Sequence, residues 1–333
     1  MPLVFFIIIL TMPLIKNTTY QPAFPFTNRH FNTVFRTFYN PHRINFRRER
    51  LELEDGDFLD LDCTLLKSDK VVIAIHGLEG SSNSTYIHSL ATLLHDHGID
   101  MIALNLRSCS GVPNRLYSSY HSGKTRDLHS VITYVTEKLN YQSVSIVGYS
   151  LGGNMAIKYM GEYAAGMSQK IKTAIGVSVP CDLEGSAKKI NLHSNRLYRK
   201  VFMKSLLKKL KDKVSKFPQS PLTTEDLKNI HDFKDFDNAY TAPAHGFKDA
   251  VDYWHQSSCK QFIPKINKPT LLITAMDDPF LTKSCYPFKE AEANTMFYLL
   301  TTQYGGHVGF GQSLNPHSNN WCEKQIINFI NSM

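Results

Sequence analysis

The sequence predicts an α/β protein: a mostly parallel central sheet with helices on both faces and a helical insertion over one end. Three observations predict it. Short apolar runs that read as buried strands alternate with amphipathic helical stretches, the pattern of a parallel sheet. One of these runs, Val144-Ser145-Ile146-Val147, passes through Gly148-Tyr149-Ser150-Leu151-Gly152 straight into the helix-permissive Asn154-Met155-Ala156-Ile157. The alternation lapses between about 181 and 260 and then resumes.

The first nineteen residues read as an N-terminal extension. The apolar run around Phe5-Phe6-Ile7-Ile8-Ile9-Leu10 is too short to span a bilayer as a helix and lacks the basic start and small-residue cleavage site of a signal peptide. Met12 looks like a start in its own right, so a misplaced initiation codon is the favoured explanation and a lipid-facing anchor the alternative. Residues 20–180 form the first part of the core. Tyr20 to Asn45 has no clear period and reads as an arm wrapping the domain. Arg47 to Leu53 and Phe58 to Asp62 alternate around the turn Glu54-Asp55-Gly56-Asp57, which predicts two antiparallel strands. Val71 to Ile75 is continuously apolar, as a strand buried on both faces must be. It leads into His76-Gly77-Leu78-Glu79-Gly80 and a helix carrying Ile87, Leu90, Leu93 and Leu94. A strand at 101–104, a helix over about 125–139, the strand at Val144 and another over 171–179 complete this part.

Residues 181–260 read as a helical cap inserted over the sheet. In the stretch from Arg199 to Lys216, Met203, Leu206, Leu207, Leu210 and Val214 share one face, while Lys200, Lys204, Lys208 and Lys211 lie opposite. A solvated surface is the simpler reading of that basic face, with weak peripheral membrane contact as the alternative. Residues 261–333 return to the core: a strand over 269–275 ending in Asp277-Asp278-Pro279-Phe280, a helix near 285–293, a strand at 295–300, the glycine-rich stretch around His307, and a closing helix over 321–330.

Composition narrows the function classes. The six cysteines are scattered singly, with no paired spacing, and read as reduced thiols of a cytoplasmic protein. Fourteen histidines include no metal-binding spacing, so neither a metal nor another cofactor is called for. The formal charge of +8 would favour anionic surfaces, but no nucleic-acid motif accompanies it. That leaves plain solubility or weak attraction to lipid headgroups.

The chemistry centres on Ser150. Glycines two residues to either side suit a turn too tight for a Cβ, one that lifts a serine clear of the backbone. A serine hydroxyl attacks only when a base takes its proton, and that base needs an acceptor to fix its tautomer. His307, among Gly305, Gly306 and Gly309, is the candidate base. Asp277 and Asp278 compete as the acceptor. The usual strand-end spacing, counted from Ala275, favours Asp278 and leaves Asp277 to cap the turn. The backbone amides of Leu78 and Leu151 are the candidate donors to an oxyanion. His76 reads as packing beneath its loop.

His-Gly-Leu-Glu-Gly at 76–80, Tyr-His-Ser-Gly at 120–123, Gly-Tyr-Ser-Leu-Gly-Gly-Asn at 148–154, Thr-Ala-Pro-Ala-His-Gly-Phe at 241–247, Asp-Asp-Pro-Phe at 277–280 and Gly-Gly-His-Val-Gly-Phe at 305–310 together resemble the YheT-like branch of the α/β-hydrolases. The resemblance runs from about Tyr20 to the C-terminus. It implies a carboxylic ester hydrolase preferring short- to medium-chain acyl groups, some eukaryotic relatives acting on phospholipids or making ethyl esters by acyl transfer. His121 and His245 lie in these motifs but are not needed by the mechanism, and read as structural or cap-hinge residues. The expectation is a serine hydrolase of small-molecule esters working through an acyl-enzyme, with no cofactor and with the oligomeric state left open. An acyltransferase using the same intermediate, or a non-catalytic scaffold, are its rivals.

Overall fold

Nine strands form one sheet in the order β1-β9-β8-β7-β6-β4-β5-β3-β2 in a computed structural model that describes residues 13–15, 19–38, 43–315 and 321–333. The strands are β1 (Leu14–Ile15), β2 (Arg47–Glu52), β3 (Phe58–Thr64), β4 (Lys70–Ile75), β5 (Asp100–Asn105), β6 (Ser143–Tyr149), β7 (Ile171–Val177), β8 (Thr270–Ala275) and β9 (Phe297–Thr302). Only β3 breaks the parallel run, pairing antiparallel with both β2 and β5. The central strands are buried along almost their whole length, hence their continuous Val, Ile, Leu and Ala.

Helices cover both faces. On one, Ile87, Leu90 and Leu94 of α2 (Thr85–Asp96) pack with Ile326, Ile327 and Phe329 of the C-terminal helix (Trp321–Ser332) beneath Val72 and Ala74. On the other, Leu128 and Val131 of α3 (Thr125–Thr133) and Met155 and Met160 of α4 (Leu151–Glu162) pack on Ile73 and Ile75. Each such aliphatic side chain contributes roughly 1.5–3 kcal/mol by leaving water. The chain beyond α3 continues as one wide turn over Tyr134–Lys138 rather than as regular α-helix.

Between β7 and β8 the regular elements are all helical: α5 (Leu183–Asn191), α6 (Arg196–Lys216), α7 (Phe233–Phe236), α8 (Ala242–His245) and α9 (Ala250–Ser257). They share a hydrophobic cluster that includes Met203, Leu206, Leu210, Phe236 and Trp254. The cluster reaches the core through Phe280, which follows β8. After it come α10 (Phe288–Ala293), β9 and α11, the C-terminal helix.

The structure departs from the sequence reading in two places. The end of the N-terminal apolar run is part of the sheet, since Leu14 and Ile15 pair parallel with Leu299 and Leu300 and the Pro13 carbonyl accepts from Leu299 N–H at 2.7 Å. Two residues are too few to show an alternation, so periodicity could not reveal this edge strand. Residues 1–12, with the proposed start at Met12, lie outside the described residues. Second, the supposed arm contains α1 (Arg29–Phe38), capped by Asn28, whose Oδ1 accepts from the amides of His30 and Phe31. That cap was readable, because an Asn precedes apolar residues at Phe31, Val34 and Phe35. Aromatic crowding hid the period.

Candidate active site

The turn between β6 and α4 sets Ser150 at φ +52°, ψ −117°, a conformation costly for a residue with a Cβ. Backbone bonds hold it there: Ser150 N–H donates to Val177 O at 2.8 Å and Asn154 N–H to Ser150 O at 3.0 Å. A Cβ on Gly148 would collide with the Gly152 carbonyl, and one on Gly152 would lie 2.5 Å from the carbonyl oxygens of Ile75 and His76. The glycine spacing around Ser150 is thus steric. Asn154, fully buried, secures the next turn by donating to Ser122 O and Ser257 O and accepting from Cys259 N–H.

Three predicted residues meet. Ser150 Oγ lies 2.9 Å from His307 Nε2, and His307 Nδ1 lies 2.8 Å from Asp278 Oδ2. Asp278 is buried, and its Oδ1 accepts from Phe280 N–H at 2.8 Å, so both oxygens are held. With Nδ1–H donating to the carboxylate, Nε2 is left to accept from the serine hydroxyl.

Asp277 points elsewhere, as the spacing implied. Its Oδ1 accepts from Gly306 N–H at 2.9 Å and so braces the loop that carries His307, while burial beside Asp278 raises its pKa. The rest of that brace comes from α1. His307 N–H donates to Thr33 Oγ1 and Gly311 N–H to Asn32 Oδ1, and a Cβ on Gly306 would lie 2.5 Å from Arg29 O. The seating of the histidine loop on α1 escaped the sequence reading, because the helix itself did.

The loop after β4 approaches from the other side, where a Cβ on Gly77 would lie 3.2 Å from Ser150 Cβ. His76 is buried beneath it. Its Nε2 accepts from Leu106 N–H at 3.1 Å, which puts the proton on Nδ1, the donor to Gly77 O at 2.7 Å. Burial pushes its pKa down to about 4, which keeps the ring neutral. His121 and His245 lie with ring centroids 4.5 Å apart, half-buried where α8 meets the Tyr120 loop.

Ser150, Leu78, Leu151 and His307 open into a cavity of about 680 Å³. Its far walls come from the helical segment, including Ile190, Phe202, Leu206, Phe236 and Trp254. A largely apolar space of this size suits a flexible organic ligand. Among the described residues, no cluster of three or more His, Cys, Asp or Glu could hold a metal ion, and no helix is long and apolar enough to cross a membrane. All six cysteines are buried and unbridged.

A parallel sheet with a serine elbow after β6, an acid after β8 and a histidine after β9 is the arrangement of the α/β-hydrolases. The chain belongs to that family: the model for the alpha/beta hydrolase fold matches residues 70–312. It is 33% identical over 321 residues to YheT of Escherichia coli (strain K12), covering 95% of this chain and 94% of that one. It is 29% identical over 288 residues to medium-chain fatty acid ethyl ester synthase/esterase 2 of Saccharomyces cerevisiae, covering 78% of this chain and 61% of that one. Among solved structures, esterase Pf2001 of Pyrococcus furiosus superposes with a TM-score of 0.57 at 16% identity, over 88% of this chain and 98% of that one.

Proposed function

We propose that this esterase- and lipase-like hydrolase cleaves carboxylic esters of short- to medium-chain acyl groups through an acyl-Ser150 intermediate. The observation that carries the reading is the hydrogen-bonded chain from Ser150 Oγ through His307 to Asp278. His307 Nε2 takes the hydroxyl proton as Oγ attacks the ester carbonyl, and Asp278 stabilises the imidazolium that forms. The carbonyl oxygen becomes an oxyanion and is met by the amides of Leu78 and Leu151. His307 then returns the proton to the departing alkoxide, which leaves as alcohol. Water, deprotonated by His307, attacks the acyl carbon, and as the bond to Ser150 Oγ breaks His307 passes that proton to Oγ, releasing the acid and restoring the serine. No step needs a cofactor.

The acyl chain lies in the apolar cavity, with the helices between β7 and β8 acting as its cap. The yeast relative's name joins ester synthesis to hydrolysis, which supports a second reading in which an alcohol replaces water at deacylation. Product analysis with added ethanol separates the two. The outer face of α6, where Leu197 is 71% exposed beside Lys200 and Lys204, reads most simply as a solvated surface, with peripheral contact with anionic lipid as the alternative. Co-sedimentation with anionic but not neutral vesicles would favour the alternative. The catalytic assignment is tested with a fluorophosphonate probe and intact-mass analysis. Wild type should gain one adduct and Ser150→Ala none; an unlabelled wild type supports the scaffold reading instead.

A further inference from the structure

The loop from Gly77 to Gly80 presents four backbone amides beside Ser150. Three are occupied: Gly77 N–H donates to Tyr86 Oη at 3.0 Å, Glu79 N–H to Tyr120 Oη at 3.0 Å, and Gly80 N–H to Gly77 O at 3.1 Å. Among the described residues Leu78 N–H has no acceptor, the state an oxyanion donor needs before substrate arrives. This arrangement involves Glu79, which sits at φ +56°, a left-handed conformation that costs a residue with a Cβ about 1–2 kcal/mol.

The side chain supplies the restraint. The Glu79 carboxylate is only 6% exposed. Its Oε1 accepts from Tyr120 Oη at 2.7 Å and from Lys209 Nζ at 3.0 Å, and its Oε2 accepts from Ser205 Oγ. Tyr120 belongs to the core, whereas Ser205 and Lys209 lie one turn apart on α6, so a single carboxylate joins the loop to both. A buried carboxylate stripped of its cationic partner is costly, and movement of the loop toward water relieves that cost. All four side chains line the cavity.

We infer that Glu79 is a positioning residue that clamps the Leu78 amide to helix α6, so that the oxyanion site is complete only when α6 lies over the cavity. The inference rests on the proposed role of Leu78 as an oxyanion donor. It couples two parts of the machine: withdrawal of α6, as for substrate entry, loosens the oxyanion loop, and its return rebuilds the loop around the bound ester.

The test compares Glu79→Ala, Glu79→Gln and Lys209→Met with wild type on p-nitrophenyl butanoate. It adds inhibition by a trifluoromethyl ketone of matching chain length, which forms a tetrahedral oxyanion adduct on a reactive serine, and thermal unfolding of each variant. Glu79→Ala should lower kcat by about 30- to 100-fold with KM within about threefold, and weaken ketone binding by the same factor as kcat/KM. Glu79→Gln, isosteric and still able to accept, should recover most of the loss, and Lys209→Met should fall between. A residue that merely fastens the helix would lower the melting temperature without this match between turnover and ketone affinity. A folded Glu79→Ala with kcat within threefold of wild type, or with unchanged ketone affinity, overturns the inference alone. A wild type that neither hydrolyses the ester nor binds the ketone overturns it together with the hydrolase reading. Should Glu79→Ala fail to fold, Ser205→Ala and Lys209→Met carry the same comparison.

Discussion

At the carboxyl edge of the sheet, Ser150 and Asp278 are placed chiefly by backbone, through a strained turn, a strand end and glycines into which neighbouring carbonyls press, and His307 by its glycine loop with the side chains of Asp277, Thr33 and Asn32. In the helices above them, placement is by side chains, through an apolar cluster and lysines that reach down to the core. Lys213 Nζ donates to Leu116 O, and Lys216 Nζ to Asn114 O at 3.2 Å. The difference teaches where each kind of function resides. Bond-making needs atoms fixed to a few tenths of an ångström, which a sheet edge supplies; substrate choice needs a wall that can vary away from the contact, through Glu79, that ties it to the edge.

Substitutions at the sheet edge should break the comparison most visibly. Asp278→Asn should lower kcat by about 10³- to 10⁴-fold, because an amide facing Nδ1 favours the wrong histidine tautomer. Asp277→Asn keeps an oxygen for Gly306 N–H and removes a carboxyl whose ionisation burial disfavours, so its kcat should stay within about threefold of wild type. Steady-state kinetics of the two variants side by side would check this. Equal losses would mean that the strand-end acids share the role.

The helical wall should respond differently. Phe236→Ala removes a buried ring from the cluster and should cost about 3–5 kcal/mol in denaturant unfolding. Because Phe236 also lines the cavity, hydrolysis should shift toward longer acyl esters while turnover of the acetate stays within about threefold. A collapse of acetate turnover would show that the wall away from α6 is coupled to the edge as well.

The smallest effect concerns the junction between them, where His121 meets His245. Burial holds His245 at a pKa of about 3 and His121 well below its usual value, so both are neutral in the folded protein. An unfolded histidine titrates near 6.5. As pH falls below about 6.5 the unfolded chain takes up protons that the folded chain refuses, so stability declines, and for His245 the decline continues toward about 3. The melting temperature should therefore drop between pH 7.5 and 5.0, and His245→Gln should drop less.

The same contrast explains what the sequence made legible. Where backbone decides, residue types are forced: Gly148 and Gly152 by carbonyl collisions, Asp278 by its distance from the end of β8, the buried strands by their continuous apolar runs. These could be read in order along the chain. Where distant side chains decide, nothing local announced the outcome. Helix α6 was foreseen with a greasy and a basic face, yet Lys209 and Lys213 turn inward, because their acceptors come from segments roughly a hundred residues away. Glu79 stood in view inside His76-Gly77-Leu78-Glu79-Gly80. Two of its three partners, Ser205 and Lys209, lie on α6, 126 and 130 residues away in sequence. Likewise α1 braces the histidine loop across more than 270 residues of sequence, through Thr33 and Asn32.

The central claim is that Ser150 makes and breaks the acyl bond, and it is tested most directly by hydrolysis of p-nitrophenyl esters from acetate to dodecanoate by wild type and Ser150→Ala in parallel. The account predicts turnover by wild type with an optimum at short to medium chains, and a loss of at least about 10⁴-fold in the variant at every length. Equal rates for the two proteins would contradict it.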